Sequence, residues 1–333
     1  MKTKYIYIAF LTILCGGSLV ACSNGDEFFK DERYKKMIYA ISDNEQIFHA
    51  EFELNNEEDI IGVQPFAVSG TNPIDQDVHL NIEKDPELLT EYNYNTYMDE
   101  TDKYARELKD GDYSLLSSIV EIKAGVNPSY EVGKLQVKIK TSIIEKLSVD
   151  SAYFLSFRIK EATPYEINEE KRNVLFRIYK KNQYASQKTP TYYASSGFMD
   201  DVVMPFDSKI IMPLAYNKIR TYIAGQIYDA NDTKETINKN SMVITVDADN
   251  QVLISAFDSE NGLKVEMLSP SSDPNDGSYG YRNYYNPEEK QFYLYYRFDN
   301  GEGWKVVRET LRAERNRRIL LCFNKNTLYC GIV

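Results

Sequence analysis

Residues 134–140 read KLQVKIK, and this stretch decides the fold class. Leu135, Val137 and Ile139 alternate with Lys134, Gln136, Lys138 and Lys140. Successive side chains of a strand point to opposite faces, so a period of two turns the aliphatics toward a core and the polar groups toward water. Working outward, Phe48, Ala50, Phe52 and Leu54 alternate within Ile47 to Leu54. The stretches AYFLSFRI (152–159) and NVLFRIYK (173–180) are strands of more continuously apolar character.

Helices are few and short. DPELLTEYN (85–93) opens with Asp85 as cap, Pro86 at the first helical position and Glu87 in the first turn, with Leu88, Leu89 and Tyr92 as the inner face. SIIEKL (142–147) supplies one turn more. A polar, turn-rich segment, KKNQYASQKTPTYYASSG (180–197), precedes a second strand series. Its members are Ser241 to Asp247, Gln251 to Phe257, Leu263 to Leu268, Gln291 to Phe298 and Trp304 to Thr310. DADN (247–250), the Asn261-Gly262 pair and DNGEG (299–303) join them, and Asn-Gly takes positive φ at low cost in tight hairpins. Short strands at this spacing predict an antiparallel sandwich or barrel. Strands do not alternate with helices, which argues against a doubly wound fold or a catalytic β/α barrel.

The N-terminus has a different logic. Lys2 and Lys4 precede an apolar run of ten residues, Tyr5 to Leu14, and the small residues Gly16, Gly17 and Ser18 lead to Leu19-Val20-Ala21-Cys22. This is a secretory signal peptide over residues 1–21, too short to span a hydrocarbon core of ~30 Å comfortably. The Leu-Val-Ala-Cys ending resembles the lipobox of bacterial lipoproteins, which implies that Cys22 is acylated and begins the mature chain. Each buried acyl CH₂ contributes ~0.8 kcal/mol, so several chains anchor without a transmembrane helix. The charged, aperiodic residues that follow make 22–34 a tether. Asp26-Glu27 resembles the acidic tag that sends Bacteroidetes lipoproteins to the outer face of the outer membrane.

Removing the leader, with its two lysines and no acids, takes the net charge from −11 to about −13. Such a field excludes nucleic acid and anionic lipid as general partners. Arg308, Arg312, Arg315, Arg317 and Arg318 run against it and read as a solvated strand-and-turn edge, with an anion site as the alternative. Cys322 and Cys330 flank Asn324 to Thr327, which reads as a hairpin turn; a cross-strand disulfide and two buried thiols are both open readings.

No constellation for catalysis stands out. His49 and His79 have strand-like neighbours and no metal-ligand spacing, so no metal and no cofactor is expected. The nucleophile-elbow, P-loop and dinucleotide glycine motifs are missing. Adjacent acids such as Asp200-Asp201 or Glu169-Glu170 are expected by chance among 50 acidic residues. Tyrosine is the outlier, with 27 copies against one Trp and two His. DGSYGYRNYYNPEEK (276–290) sets Tyr279, Tyr281, Tyr284 and Tyr285 among Gly, Asn and Arg282. Rigid aromatics beside adaptable polar groups suit a sugar ring, whose C–H face stacks while its hydroxyls need partners. Trp304, Tyr192 and Tyr193 are further candidates.

The run DVHLNIEKDPELLTEYN, then LKDGDYSLLSSIVEIKAGV, YEVGKLQVKIK and SAYFLSFRI, resembles an immunoglobulin-like domain of unknown function found in Bacteroidetes surface lipoproteins. Its steps include Tyr113-Ser114-Leu115-Leu116 and Ile122-Lys123-Ala124-Gly125. In that family the domain also precedes endo-β-N-acetylglucosaminidase modules. NKNSMVITVDADNQVLIS and FYLYYRFDNGEGWKVVRETLR resemble its β-rich C-terminal partner domain. The resemblance implies an all-β chain with an immunoglobulin-like sandwich at 35–182 and a second antiparallel sandwich or barrel at 183–333 carrying any ligand site. It further implies a surface lipoprotein of a polysaccharide-utilisation system that captures glycan for an outer-membrane TonB-dependent transporter complex. The alternatives are a protein-interaction or structural subunit of a transport or adhesion assembly, and a glycoside hydrolase.

Overall fold

The computed structural model describes residues 35–125, 132–229, 231–260 and 263–314. Cys22, Cys322, Cys330, Arg315, Arg317, Arg318 and the Asn261-Gly262 turn lie outside the described residues. The chain is all-β and divides into two compact units. Of the described residues, the first takes 35–50, 62–138 and 154–177; the second takes 51–61, 139–153 and 178–314.

Two sheets build the immunoglobulin-like sandwich. One has the order Glu166–Ile167, Met37–Ala40, Asp59–Val68, Gly133–Lys140, Tyr113–Leu115. The other runs Ile47–Glu53, Asn173–Lys181, Tyr153–Thr163, Val78–Lys84, Ile119–Ile122. Gly133–Lys140 behaves as its alternation requires, with Leu135, Val137 and Ile139 at most 1% exposed. Phe176 anchors the core between Phe48 at 6.0 Å and Phe157 at 6.2 Å. Asp85 caps the helix Pro86–Tyr97 by accepting from the Glu87 amide at 3.3 Å, and Leu88 and Leu89 are buried beneath it.

The second unit carries an antiparallel sheet that curls into a nearly closed barrel. Its order is Val252–Ala256, Ser241–Val246, Lys218–Tyr222, Asp207–Ala215, Thr191–Met199, Lys305–Ala313, Gln291–Asp299, Lys264–Met267. Closure comes from Tyr284–Asn286, which pairs with Gln291–Tyr293 on one side. On the other side Gln251 bridges Tyr284, and the Val252 amide donates to the Asn283 carbonyl at 2.8 Å. Joining the two edges removes exposed ladder groups that would otherwise recruit another strand.

Two hairpins form as their sequences predict. In 247–250 the Asp247 carboxylate accepts from the Gln251 amide at 2.8 Å while Asn250 turns to φ +63°. In 299–303 the Asp299 carboxylate accepts from the Gly301 and Gly303 amides at 2.9 and 3.0 Å, which holds its pKa below the usual range. Gly301 sits at φ +102°, a conformation that a side chain would strain. Two expectations need correction. Lys264–Met267 pairs with Gln291–Asp299 rather than folding back on Val252–Ala256 as a hairpin through Asn261-Gly262 would require. The second half of the segment taken as a polar connection is the strand Thr191–Met199, central in the sheet.

That strand escapes an apolar pattern because the barrel interior is partly polar. Lys209 and Glu309 are 1% and 0% exposed and form an ion pair at 2.7 Å. Glu309 Oε1 also accepts from Ser195 Oγ at 2.7 Å, and its Oε2 accepts from the Tyr296 hydroxyl at 2.9 Å. Tyr296 in turn accepts from the Ala224 amide at 2.8 Å. Four adjacent strands thus converge on one carboxylate with both oxygens satisfied, the condition under which a buried polar network is tolerated. Burial pushes the Tyr296 hydroxyl well above its ordinary pKa.

Candidate functional site

The strand Gln291–Asp299 alternates strictly, with Phe292, Leu294, Tyr296 and Phe298 inward and Gln291, Tyr293, Tyr295 and Arg297 on the outer face. Antiparallel pairing puts Tyr284 directly opposite Tyr293. Their rings stack face to face at 5.4 Å, with planes 6° apart. Cross-strand aromatic pairs of this kind are held by the sheet itself, so the surface they present is rigid. Beside them opens a recess of about 390 Å³, lined by Gln251, Gly280, Arg282, Tyr284 and Tyr293.

The loop that supplies Gly280 and Arg282 is fixed from beneath. Asn283 is buried; its side-chain amide donates to the Leu268 carbonyl at 2.9 Å and its oxygen accepts from the Tyr295 amide at 2.7 Å. Ser278 Oγ accepts from the Ser271 amide at 2.8 Å. The Arg282 guanidinium lies 5.5 Å over the Tyr279 ring, a cation–π contact that orients it. The Tyr293 hydroxyl donates to Glu289 at 2.7 Å, and that hydrogen bond, with burial, pushes its pKa up to about 12. The phenol therefore stays protonated at physiological pH, with its proton on the bond to Glu289 and its oxygen able to accept from a sugar hydroxyl. A flat aromatic face, an amide, a guanidinium and a phenol around one recess form a set able to stack a sugar ring and bond its hydroxyls.

Among the predicted residues, the structure brings Arg282 and Tyr284 to the recess, with exposed Tyr279 joined to them through Arg282. Tyr281 is half-buried in the same loop. Tyr285 and Tyr193 are corrections. Tyr285 points inward, its ring 4.6 Å from Phe292 and 5.0 Å from Tyr184. Tyr193 is 2% exposed and donates its hydroxyl to the Tyr184 carbonyl at 3.1 Å. Both alternate with an outward neighbour, so one tyrosine of each adjacent pair must be core. Trp304 is exposed under Arg297 at 4.6 Å, but it lies past the end of the hairpin, beyond the Phe298↔Lys305 pair. Tyr192 is exposed two strands away and four residues out of register with Tyr293, roughly 16 Å distant by strand spacing. Neither belongs to the recess.

Tyr293 and Gln251 are the residues sequence reasoning missed. The alternation of QFYLYYRF marks Tyr293 as outward-facing, and the missing step was recognising Tyr284–Asn286 as its partner strand rather than loop. Elsewhere His49 bonds Asp43 at 3.0 Å and His79 lies 3.5 Å from Glu121. Among the described residues no group of three or more His, Cys, Asp or Glu side chains is arranged to hold a metal ion.

A family model for an N-terminal domain matches residues 34–166, and a companion model for a C-terminal domain matches residues 172–312. No curated protein matches the chain. Several solved structures are similar to this chain. A protein of unknown function from Bacteroides ovatus is 15% identical at a TM-score of 0.54, over 84% of this chain and 92% of that one. A multidomain protein including DUF1735, also from Bacteroides ovatus, is 14% identical at 0.53, over 83% and 94%. An auxiliary nutrient binding protein from Bacteroides thetaiotaomicron is 14% identical at 0.49, over 81% and 92%. With both of its domains matched in order, this chain belongs to that two-domain family, in which an immunoglobulin-like domain of unknown function precedes a β-rich C-terminal partner.

Proposed function

We propose that the protein is a non-catalytic, lipid-anchored lipoprotein of the outer-membrane surface that holds glycan on the outer face of its C-terminal barrel. The parallel, stacked Tyr284–Tyr293 pair carries this reading, because phenols fixed by strand pairing offer a flat apolar ring face beside hydrogen-bonding groups. Arg282 and Gln251 border it and suit the ring hydroxyls. A larger recess of about 590 Å³ suits glycan less well. Glu166, Glu169 and Glu170 line it, and its Tyr165 hydroxyl is engaged by Asp75. The partner is an oligosaccharide passed on to a TonB-dependent transporter complex, the role that the resemblance implies.

A saccharide array probed with the full chain in detergent tests the binding reading. Binding that disappears in the Tyr284→Ala, Tyr293→Ala double variant is the expected result, with a loss of roughly tenfold or more, as stacking contributes ~1 kcal/mol per ring. An array with no signal, or release of reducing sugar from a bound glycan, contradicts it. The anchor has its own test. Labelled fatty acid should enter the wild type and not Cys22→Ser, and the variant should leave the membrane fraction; a Cys22→Ser protein still held there rejects the anchor.

A further inference from the structure

Charge around the tyrosine face is out of keeping with the rest of the molecule. The chain carries 50 acids against 39 basic residues, and two other recesses among the described residues follow that balance. One is bordered by Glu166, Glu169 and Glu170, another by Glu45, Glu170 and Lys171. The recess beside Tyr284 and Tyr293 has no acid in its lining, and its charged member is Arg282.

Arginine pairing sharpens the contrast. Arg158, Arg172, Arg220, Arg297 and Arg308 are each bound to a carboxylate within 3.0 Å. Arg282 and Arg312 have no such partner among the described residues. Arg282 stands over Tyr279 instead. Arg312 is exposed on the same outer face, in register with Gln291 and so diagonal to Tyr293. Side chains on such a diagonal are within reach of each other when long. Glu289, the acid beside Tyr293, has its carboxylate engaged by the Tyr293 hydroxyl. Two guanidinium groups without a carboxylate partner among the described residues thus stand beside one aromatic face.

We infer that the saccharide held on the Tyr284–Tyr293 face is acidic, with carboxylate or sulfate groups along it bound by Arg282 at one end of the face and by Arg312 at the other. This rests on the glycan-binding reading and narrows it. A guanidinium presents parallel N–H donors that match either anion, and an arginine without an internal carboxylate gives up only water on binding. A uronate ring lying on the tyrosines projects its carboxylate from the ring edge, toward the long side chains that border the face.

The test is calorimetric titration of the full chain in detergent with four probes. They are an oligogalacturonate, its methyl ester, a sulfated glycosaminoglycan oligosaccharide and a neutral gluco-oligosaccharide. An acidic probe should bind roughly tenfold tighter than the neutral ones, and its affinity should fall with added salt. Arg312→Gln should remove most of that preference while leaving neutral binding unchanged. Arg282 also borders the ring hydroxyls, so Arg282→Gln should weaken the acidic probes more than the neutral ones. The two acidic probes separate carboxylate from sulfate recognition. Equal affinity for the methyl ester and its parent acid, with no preference for the sulfated probe, overturns the inference. If that equal binding is still lost in Tyr284→Ala, Tyr293→Ala, the glycan reading stands without it. If no probe binds, both are overturned. Both arginines are at the surface, so unchanged melting curves will show that the variants fold.

Discussion

Replacing Glu309 with alanine is expected to cost about 3–5 kcal/mol of folding stability and to lower the melting temperature by roughly 10 °C. The size follows from what is left behind. Lys209 is 1% exposed, and its ammonium group is 2.7 Å from the lost carboxylate. Without Glu309 that ammonium must stay charged in a dry interior or give up its proton, and burial already lowers the Lys209 pKa. Ser195 and Tyr296 lose their acceptor in the same substitution. Replacing both partners should behave differently, because the double variant Lys209→Met, Glu309→Leu leaves no orphaned charge. Denaturant unfolding of wild type, single and double variants checks this. A single variant as stable as wild type, or a double variant worse than the single one, would show that the pair is not buried as described.

Gly197→Ala should cost about 2–5 kcal/mol and reduce soluble yield. Gly197 is at φ +152°, and a Cβ there would be 1.9 Å from the Arg308 carbonyl oxygen and 3.0 Å from the Glu309 Cα. Those are backbone atoms of the paired strand Lys305–Ala313, so no side chain can swing aside. The methyl group must push apart two strands at the centre of the sheet, next to the Glu309 network. Thermal melts of the variant measure the effect, and an unchanged midpoint would mean that the strands are not in this register.

How far the sequence carried the fold can be told from particular residues. KLQVKIK was readable because Leu135, Val137 and Ile139 face one core and the intervening lysines meet water. DADN and DNGEG were readable because their turn chemistry is local. Thr191–Met199 and Asp207–Ala215 were not, since their inward positions include Ser195, Gly197 and Lys209, which mimic a loop. Ser195 and Lys209 are satisfied inside because Glu309, about a hundred positions away, completes them. The same holds for the candidate site. Arg282 and Tyr284 stood out by composition, yet the value of Tyr284 depends on Tyr293 across the ladder, and of Tyr285 on a core it enters. Alternation tells which of two adjacent tyrosines faces out only once the strand is known.

The central claim is that ligand binds outside the barrel, on the stacked tyrosine pair, while the interior tyrosines are structural. Spectra of the full chain with ¹³C-labelled tyrosine, recorded as a bound saccharide is added, address this directly. The resonances of Tyr284 and Tyr293, assigned by their phenylalanine variants, should move together, and those of Tyr193, Tyr285 and Tyr296 should stay in place. Movement of the interior set with Tyr284 and Tyr293 unchanged would contradict the account.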